Sequence, residues 1–360
     1  MNLKKKVVAV LFGSVSSEYE VSLMSATSVL QNIPREKHDV VMLGITKDGR
    51  WLEYTGDIAL SQPDQWQQSG HVTPAVLSPD RSTGGLLRIL PDGRTETIRI
   101  DVAFPVVHGE NSEDGALQGL FQLAGIPYVG CGVLASATCM DKEVTHILLE
   151  AAGIRTAPYR VMTRPMMERF EEMEPALQKS LGYPMFVKPA NTGSSVGVGK
   201  ARDRAGLKAA LQEAFRYDRK AVVETAITGA EVECAVLGNY GDCTASVVGE
   251  IVPHHEFYDY EGKYLDDSTD LYIPARIPEP VSKVIRQTAC DAFAAMGCTG
   301  LSRIDFFAQE DGGVVLNEIN TLPGFTAISM YPKLFDAAGI PYPELIDRLI
   351  QLALARAAEQ

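Results

Sequence analysis

The chain has 360 residues, 46% hydrophobic and 22% charged, which points to two or three domains and rules out a disordered, collagen-like or disulfide-scaffold polypeptide. Its net charge is −13, with no block of basic residues. That argues against a nucleic-acid partner, although local lysines can still bind the phosphates of a nucleotide. No apolar run reaches the ~18 residues of a membrane span. The opening MNLKKKVVAVLFG imitates a signal peptide, but its apolar stretch is short and Ser14-Val15-Ser16-Ser17-Glu18 offers no small-x-small cleavage site. It reads as a charged tail entering a first strand. The six cysteines form no C-x-x-C pair and read as reduced, mostly buried thiols of a cytoplasmic protein.

In chain order, a strand at 7–12 meets Gly13 and a helix at 17–30, and apolar strands follow at 40–45 and 102–106. Apolar runs alternating with helices predict a parallel sheet. Between them, 88–90 and 95–100 flank Pro91-Asp92-Gly93 as a hairpin. A helix at 115–124 and a strand at 128–129 lead to a loop at 130–133, the first boundary. The second segment holds helices at 141–152 and 166–180 and strands at 160–162, 185–188 and 221–224. Gly229 opens the third, with strands at 232–237, 246–251, 303–308 and 314–319 and helices at 281–296 and 343–357. The expected domains are 1–130, 131–228 and 229–360. Residues 254–275, dense in Tyr, Asp and Gly, form a long irregular stretch of the kind used as an active-site lid.

Residues 303–320 carry the sharpest chemical signal. Gln309-Glu310-Asp311-Gly312-Gly313 is turn chemistry between two apolar runs. With 310–313 as a four-residue loop, Gln309 pairs with Val314 and Ala308 with Val315. Asp305 then faces Glu318, and Arg303 faces Asn320. Residues two apart share a face, so these four side chains point one way and Ile304, Phe306 and Ile319 the other. Carboxylates directly opposite sit ~4.5–5.5 Å apart at Cβ and repel. A magnesium- or manganese-type cation would compensate them, as would Arg303 on a solvated strand face.

The strand at 185–188 runs into PANTGSSVGVG. Such small residues let backbone N–H groups approach an anion, and Lys188 adds a point charge for phosphate. The loop is neither a P-loop nor a dinucleotide fingerprint. Gly130-Cys131-Gly132-Val133-Leu134-Ala135 does match G-x-G-x-x-A after a strand, but Glu150 falls inside a helix, so the match reads as chance. Lys142 follows on the next helix.

The motifs GSVSSEYEVSL, VVHGENSEDGALQG, GIPYVGCGVLASATCMDK, VKPANTGSSVGV, EFYDYEGKYLDD and RIDFF…LNEINTLPGFT occur in this order over nearly the whole chain. Together they resemble the ATP-grasp ligases, specifically the D-alanine–D-alanine ligases. Ser14 departs from a pattern that often has a second glycine there. Residues 50–95 resemble the longer N-terminal hairpin region of one subset. The resemblance implies an α/β, in part α+β, three-domain ATP-grasp fold with an N-terminal Rossmann-like parallel-sheet domain, and ATP gripped between the second and third domains.

The resemblance also implies roles. Lys142, Lys188 and, from the lid, Lys263 would contact the ATP phosphates, with Ser195 in the same nucleotide-binding set. Glu224 would meet the adenine amino group, Ile227 the adenine ring through its backbone, and Glu231 the ribose. Asp305, Glu318 and Asn320 would bind two magnesium, or manganese, ions. Glu18 would hold the ammonium of the first D-alanine near His108. Ser194 and Tyr264 would hydrogen-bond to Glu18 and close the lid. Arg303 and the Gly324 N–H would stabilise an oxyanion, and Ser329 and Met330 would flank the second amino acid. The implied activity is ATP-dependent joining of two D-alanines through an acyl phosphate, for peptidoglycan precursors, by a cytoplasmic homodimer that binds neither nucleic acid nor membrane. Ligases using D-serine or D-lactate stay open, as does a non-catalytic nucleotide-binding regulator. No residue stands out as the base for the attacking amine.

Overall fold

The computed structural model describes residues 4–62, 64–253 and 269–359. A first, seven-stranded sheet has the order β6-β5-β4-β3-β2-β1-β7. Its strands are β1 (Lys6–Gly13), β2 (His38–Ile45), β3 (Trp51–Tyr54), β4 (Val72–Leu77), β5 (Gly85–Ile89), β6 (Thr95–Arg99) and β7 (Val102–Pro105), with helices α1 (Tyr19–Asn32) and α2 (Ala116–Ala124). Only β2-β1-β7 is parallel, and the strands beyond β2 pair antiparallel. The predicted parallel sheet is therefore confined to these three strands. The reason is connection length: α1 carries the crossover from β1 to β2, whereas 46–50 is too short for a parallel return. The β5–β6 hairpin forms as expected, with Gly93 at φ +82° in its turn.

Ser14, the departure from the glycine pattern, sits at φ +110°. It is buried, and its hydroxyl has no hydrogen-bond partner among the described residues. A left-handed backbone costs a side-chain-bearing residue roughly 1–3 kcal/mol, so the glycine preference here has a conformational cause.

The second sheet has the order β10-β9-β11-β8 and is antiparallel. Helices α3 (Val133–Met140) and α4 (Lys142–Ala151) precede β8 (Tyr159–Thr163), α5 (Phe170–Leu181), β9 (Met185–Pro189), β10 (Gly199–Ala201), α6 (Arg204–Tyr217) and β11 (Lys220–Thr225). The helix expected from 166 is a tighter 3-10 turn over Arg164–Arg169 before α5 begins. Asp141 caps α4 through the N–H groups of Glu143 and Val144 and also holds Lys220 Nζ at 2.6 Å. That cap fixes Lys142, the first residue of α4.

The third sheet has the order β14-β13-β12-β15-β16, from β12 (Ala230–Asn239), β13 (Asp242–Pro253), β14 (Thr269–Tyr272), β15 (Gly300–Ala308) and β16 (Val314–Asn320), with helices α7 (Glu279–Ala295), α8 (Met330–Ala337) and α9 (Tyr342–Ala358). Within the expected irregular stretch 254–275, Thr269–Tyr272 is a strand paired with β13. The rest of its centre, including Lys263 and Tyr264, lies outside the described residues.

One apolar cluster joins the two ends of the chain: Phe12, Leu23 and Val29 pack with Leu345, Ile346 and Leu349 of α9. The last helix thus docks on the first sheet. Arg356 reinforces the joint, since its guanidinium lies over the Tyr128 ring and donates to Tyr128 O at 2.7 Å.

Candidate active site

The β15–β16 hairpin brings Asp305 opposite Glu318 and Arg303 opposite Asn320, but by a different route from the one predicted. Ala308 pairs with Val314, not Val315, so the loop spans 309–313, one residue longer than expected. A bulge at Asn317 cancels the slip, because Phe306 pairs with Leu316 and Asp305 with Glu318. The bulge lets Leu316 and Ile319 both enter the core while Asn317 and Glu318 both line one cavity. Glu233 on β12 pairs with Asp305 on the other side. Three carboxylates therefore cross adjacent strands in a row, and the sequence reading missed the first. The alternation of Glu231 and Glu233 along β12 was the available signal. Arg303 compensates this row directly: Nε and Nη2 each reach Asp305 at 2.8 Å, and Nε lies 3.1 Å from Glu233. Asn320 Nδ2 donates to Asp305 Oδ2 at 3.0 Å.

The cavity measures about 320 Å³ and runs between the second and third sheets. Lys142, Lys188, Ser195, Glu224, Ile227 and Glu231 all line it. The side chain of Lys188, 13% exposed, is bonded to Glu224 Oε2 at 2.7 Å and donates to Asn317 Oδ1 at 3.0 Å. Lys142 Nζ donates to Thr192 O at 2.7 Å, tying α4 to the glycine-serine loop. Burial alone would raise the Glu224 carboxyl. Lys188 and His146 carry it down to about 2. Burial likewise opposes the charge of Lys188, and Glu224, with Glu318 and Glu231 behind it, raises that ammonium above the ordinary lysine value. His146 and Asn317 were not singled out in the sequence.

At the far end, Ser194 donates to Glu18 Oε1, joining the loop to the residue just before α1. Ser194 and Ser195 hold left-handed backbone, at φ +49° and +59°, and such strain collects at functional loops. Gly109 faces Glu18, and a Cβ there would sit 2.6 Å from Glu18 Oε2. His108 is buried between Leu322 O, 3.1 Å from Nδ1, and Ser25 Oγ, 3.3 Å from Nε2. Burial holds its pKa below the usual imidazole value, against the opposing charge of Glu18. Beside them Glu113 accepts from Gly109 N at 3.0 Å. Burial, then the charge of Glu18, pushes the Glu113 carboxyl well above the usual carboxylate range.

Gly324 and Ser329 belong to one turn, where Thr326 N donates to Ser329 Oγ at 3.0 Å and a Cβ on Gly324 would meet that oxygen at 2.8 Å. Met330 differs from expectation. Its side chain is buried in the core with Leu334, against the bare backbone of Gly249, so it offers the site only backbone.

Two family models cover most of the chain: "D-ala D-ala ligase N-terminus" matches residues 7–131 and "D-ala D-ala ligase C-terminus" residues 148–351. A D-alanine–D-alanine ligase of Acetivibrio thermocellus is 50% identical, over 98% of this chain and 96% of that protein. Among solved structures, the VanG D-Ala:D-Ser ligase of Enterococcus faecalis superposes with a TM-score of 0.88 at 42% identity, over 97% of this chain and 100% of that one. The D-alanine–D-alanine ligase of Coxiella burnetii superposes with a TM-score of 0.87 at 36% identity, over 99% and 96%. The mixed α/β architecture of three sheets is shared with these ATP-grasp enzymes, and the chain belongs to the D-alanine–D-alanine ligase family.

Proposed function

We propose that the chain joins two D-alanine molecules at the expense of ATP, through an acyl phosphate, to make the dipeptide of peptidoglycan precursors. The observation that carries this reading is one continuous cavity lined from Glu224 and Lys188 to Asp305 and Glu318, with Ser194 on its wall bonded to Glu18. Glu224, Ile227 and Glu231 receive the adenosine, and Lys142, Lys188 and Ser195, with Lys263 from the lid, receive the phosphates. Glu18 anchors the ammonium of the first D-alanine next to His108. Its carboxylate attacks the γ-phosphorus, giving the acyl phosphate and ADP, a step that needs positioning and neutralised phosphate charge.

The donors Asp305, Glu318 and Asn320 suit a magnesium- or manganese-type ion, which needs only one or two carboxylates besides substrate phosphates. Among the described residues no group of three or more His, Cys, Asp or Glu side chains is placed to hold a metal ion by itself. When bound, such ions supply further neutralisation of the phosphate oxygens.

The neutral amine of the second D-alanine, its carboxylate on Ser329 and its flank on the Met330 backbone, then attacks the acyl carbon, and the tetrahedral adduct expels inorganic phosphate to leave the peptide bond. Arg303, clamped by Asp305 and Glu233, and the Gly324 N–H receive the oxyanion; losing one such donor costs on the order of 3 kcal/mol.

We further read the chain as three units dividing near 130 and 228, each built on one of the three sheets, and as a homodimer acting in the cytoplasm. Leu123 on α2 and Leu134 on α3, 66% and 74% exposed, give a dimer an apolar contact. No helix among the described residues is long and apolar enough to cross a membrane.

The likeness to the VanG D-Ala:D-Ser ligase supports a second reading, D-serine as acceptor. Phosphate release with D-alanine alone, then with D-serine or D-lactate added, across pH, separates the two. Turnover with D-alanine alone is expected. Turnover only when D-serine or D-lactate is present sinks the first reading. ATP binding without turnover of any D-amino acid would mark a regulator instead.

A further inference from the structure

His146 lies on α4 one turn after Lys142 and is 4% exposed. Both ring nitrogens are engaged, Nδ1 with Thr156 Oγ1 at 2.9 Å and Nε2 with Glu224 Oε1 at 3.0 Å. The ring stacks on Tyr159, centroids 4.1 Å apart and planes 15° from parallel. An ionised carboxylate only accepts hydrogen bonds, so Nε2 carries a proton, and the rotatable Thr156 hydroxyl serves Nδ1 in either charge state.

Glu224 gives its other oxygen to Lys188, and Lys188 reaches on to Asn317 Oδ1. The circuit closes through backbone. Thr156 bridges to Leu316, the residue before Asn317, and Leu316 N donates to Arg155 O at 2.9 Å. Thr156, His146, Glu224, Lys188 and Asn317 thus form a ring linking α4, the second sheet and the bulge of β16. When a nucleotide draws Lys188 toward its phosphates, the Lys188 hold on Glu224 weakens. His146 is then what stops the glutamate side chain from following, since its own rotors offer no such restraint.

We propose that His146 is a positioning residue for nucleotide recognition. By pinning Oε1 it aims the Glu224 carboxylate at the 6-amino group of adenine and leaves Lys188 free to serve the phosphates. The proposal rests on the reading of Glu224 at the adenine edge.

Steady-state kinetics of the full-length enzyme with D-alanine, using ATP and ITP, which carries an oxygen in place of that amino group, test it. A hydrogen bond to a charged group is typically worth about tenfold or more, so His146→Leu should raise KM for ATP about tenfold and cut the ATP-over-ITP preference in kcat/KM by a similar factor. KM for D-alanine should not move. His146→Gln, whose amide can donate to Glu224, should recover most of both. Unchanged KM and preference in His146→Leu overturns the proposal, as does a glutamine variant as impaired as the leucine one. Thr156→Val removes only the Nδ1 partner and carries the test if His146→Leu does not fold; a smaller loss of ATP preference supports the proposal, and none overturns it. Glu224→Met, which removes both acceptor oxygens, separates the two readings. If it keeps the ATP preference, the adenine reading fails and takes the proposal with it. If it loses the preference while His146→Leu keeps it, only the role of His146 fails.

Discussion

The two ends of the cleft treat buried charge in opposite ways. Around Glu224 and Lys188, each group keeps its charge because it gains a direct partner that outweighs the cost of burial. Around Glu18, burial lowers the His108 pKa and, with the charge of Glu18, raises that of Glu113. Both regions are lined by titratable side chains. What differs is geometry, a 2.7 Å ion pair in one and carboxylates crowding each other in the other. Burial opposes charge at both places, and beside Lys188 it is outweighed by a partner of opposite charge within hydrogen-bond reach.

The largest effect should come where the two ends meet. Glu318→Ala should lower dipeptide formation on the order of 10²–10³-fold, with far-UV circular dichroism unchanged; wild-type-like ADP release in that variant would remove Glu318 from phosphoryl transfer. Next, Lys188→Met strands Glu224 without its cation and should cost about 3–5 kcal/mol of stability, whereas Glu113→Gln replaces a carboxyl whose neutral form burial and Glu18 favour and should cost less than about 1 kcal/mol at mildly acid pH. Equal costs in denaturant titrations would erase the contrast between the ends.

The pH dependence sharpens the same point for the enzyme without ligands. Glu113 has a raised folded value, so its contribution is full below the ordinary carboxylate pKa and is lost as pH rises through the folded value. Glu224 is the reverse: its contribution is present above the ordinary value and is lost as pH falls toward about 2. The melting temperature of Glu113→Gln relative to wild type should therefore climb as pH rises above about 4.3. A flat difference would mean Glu113 ionises normally. The smallest effect concerns backbone alone: Ser14→Gly, relieving φ +110° and an unpartnered buried hydroxyl, should add about 1 kcal/mol, read as a shift in melting temperature without change in KM for ATP.

Much of the fold was legible in local pattern. The strand–helix–strand opening, the β5–β6 turn at Pro91-Asp92-Gly93 and the alternation that puts Asp305, Glu318 and Asn320 on one strand face are all written in short-range spacing. Helices α3, α6 and α8 went unrecognised, α3 because its run Val133–Met140 was read as the end of a loop and a nucleotide-motif decoy. The bulge at Asn317 could be seen only in the pairing itself, although Leu316 and Ile319, three apart in a strand, betray a break in the two-residue period.

Residue identity and local period, acting through backbone sterics and apolar alternation, determined by themselves which segments become strands and which faces carry charge. The sequence motifs also carried the family resemblance. Only the tertiary structure decided that His146 would meet Glu224 across 78 positions, that Glu233 would extend the Asp305–Glu318 pair into a row, and that Met330 would turn into the core. Those outcomes depend on inter-strand register and on which elements pack together, and both follow from the summed burial of distant residues that no local window contains.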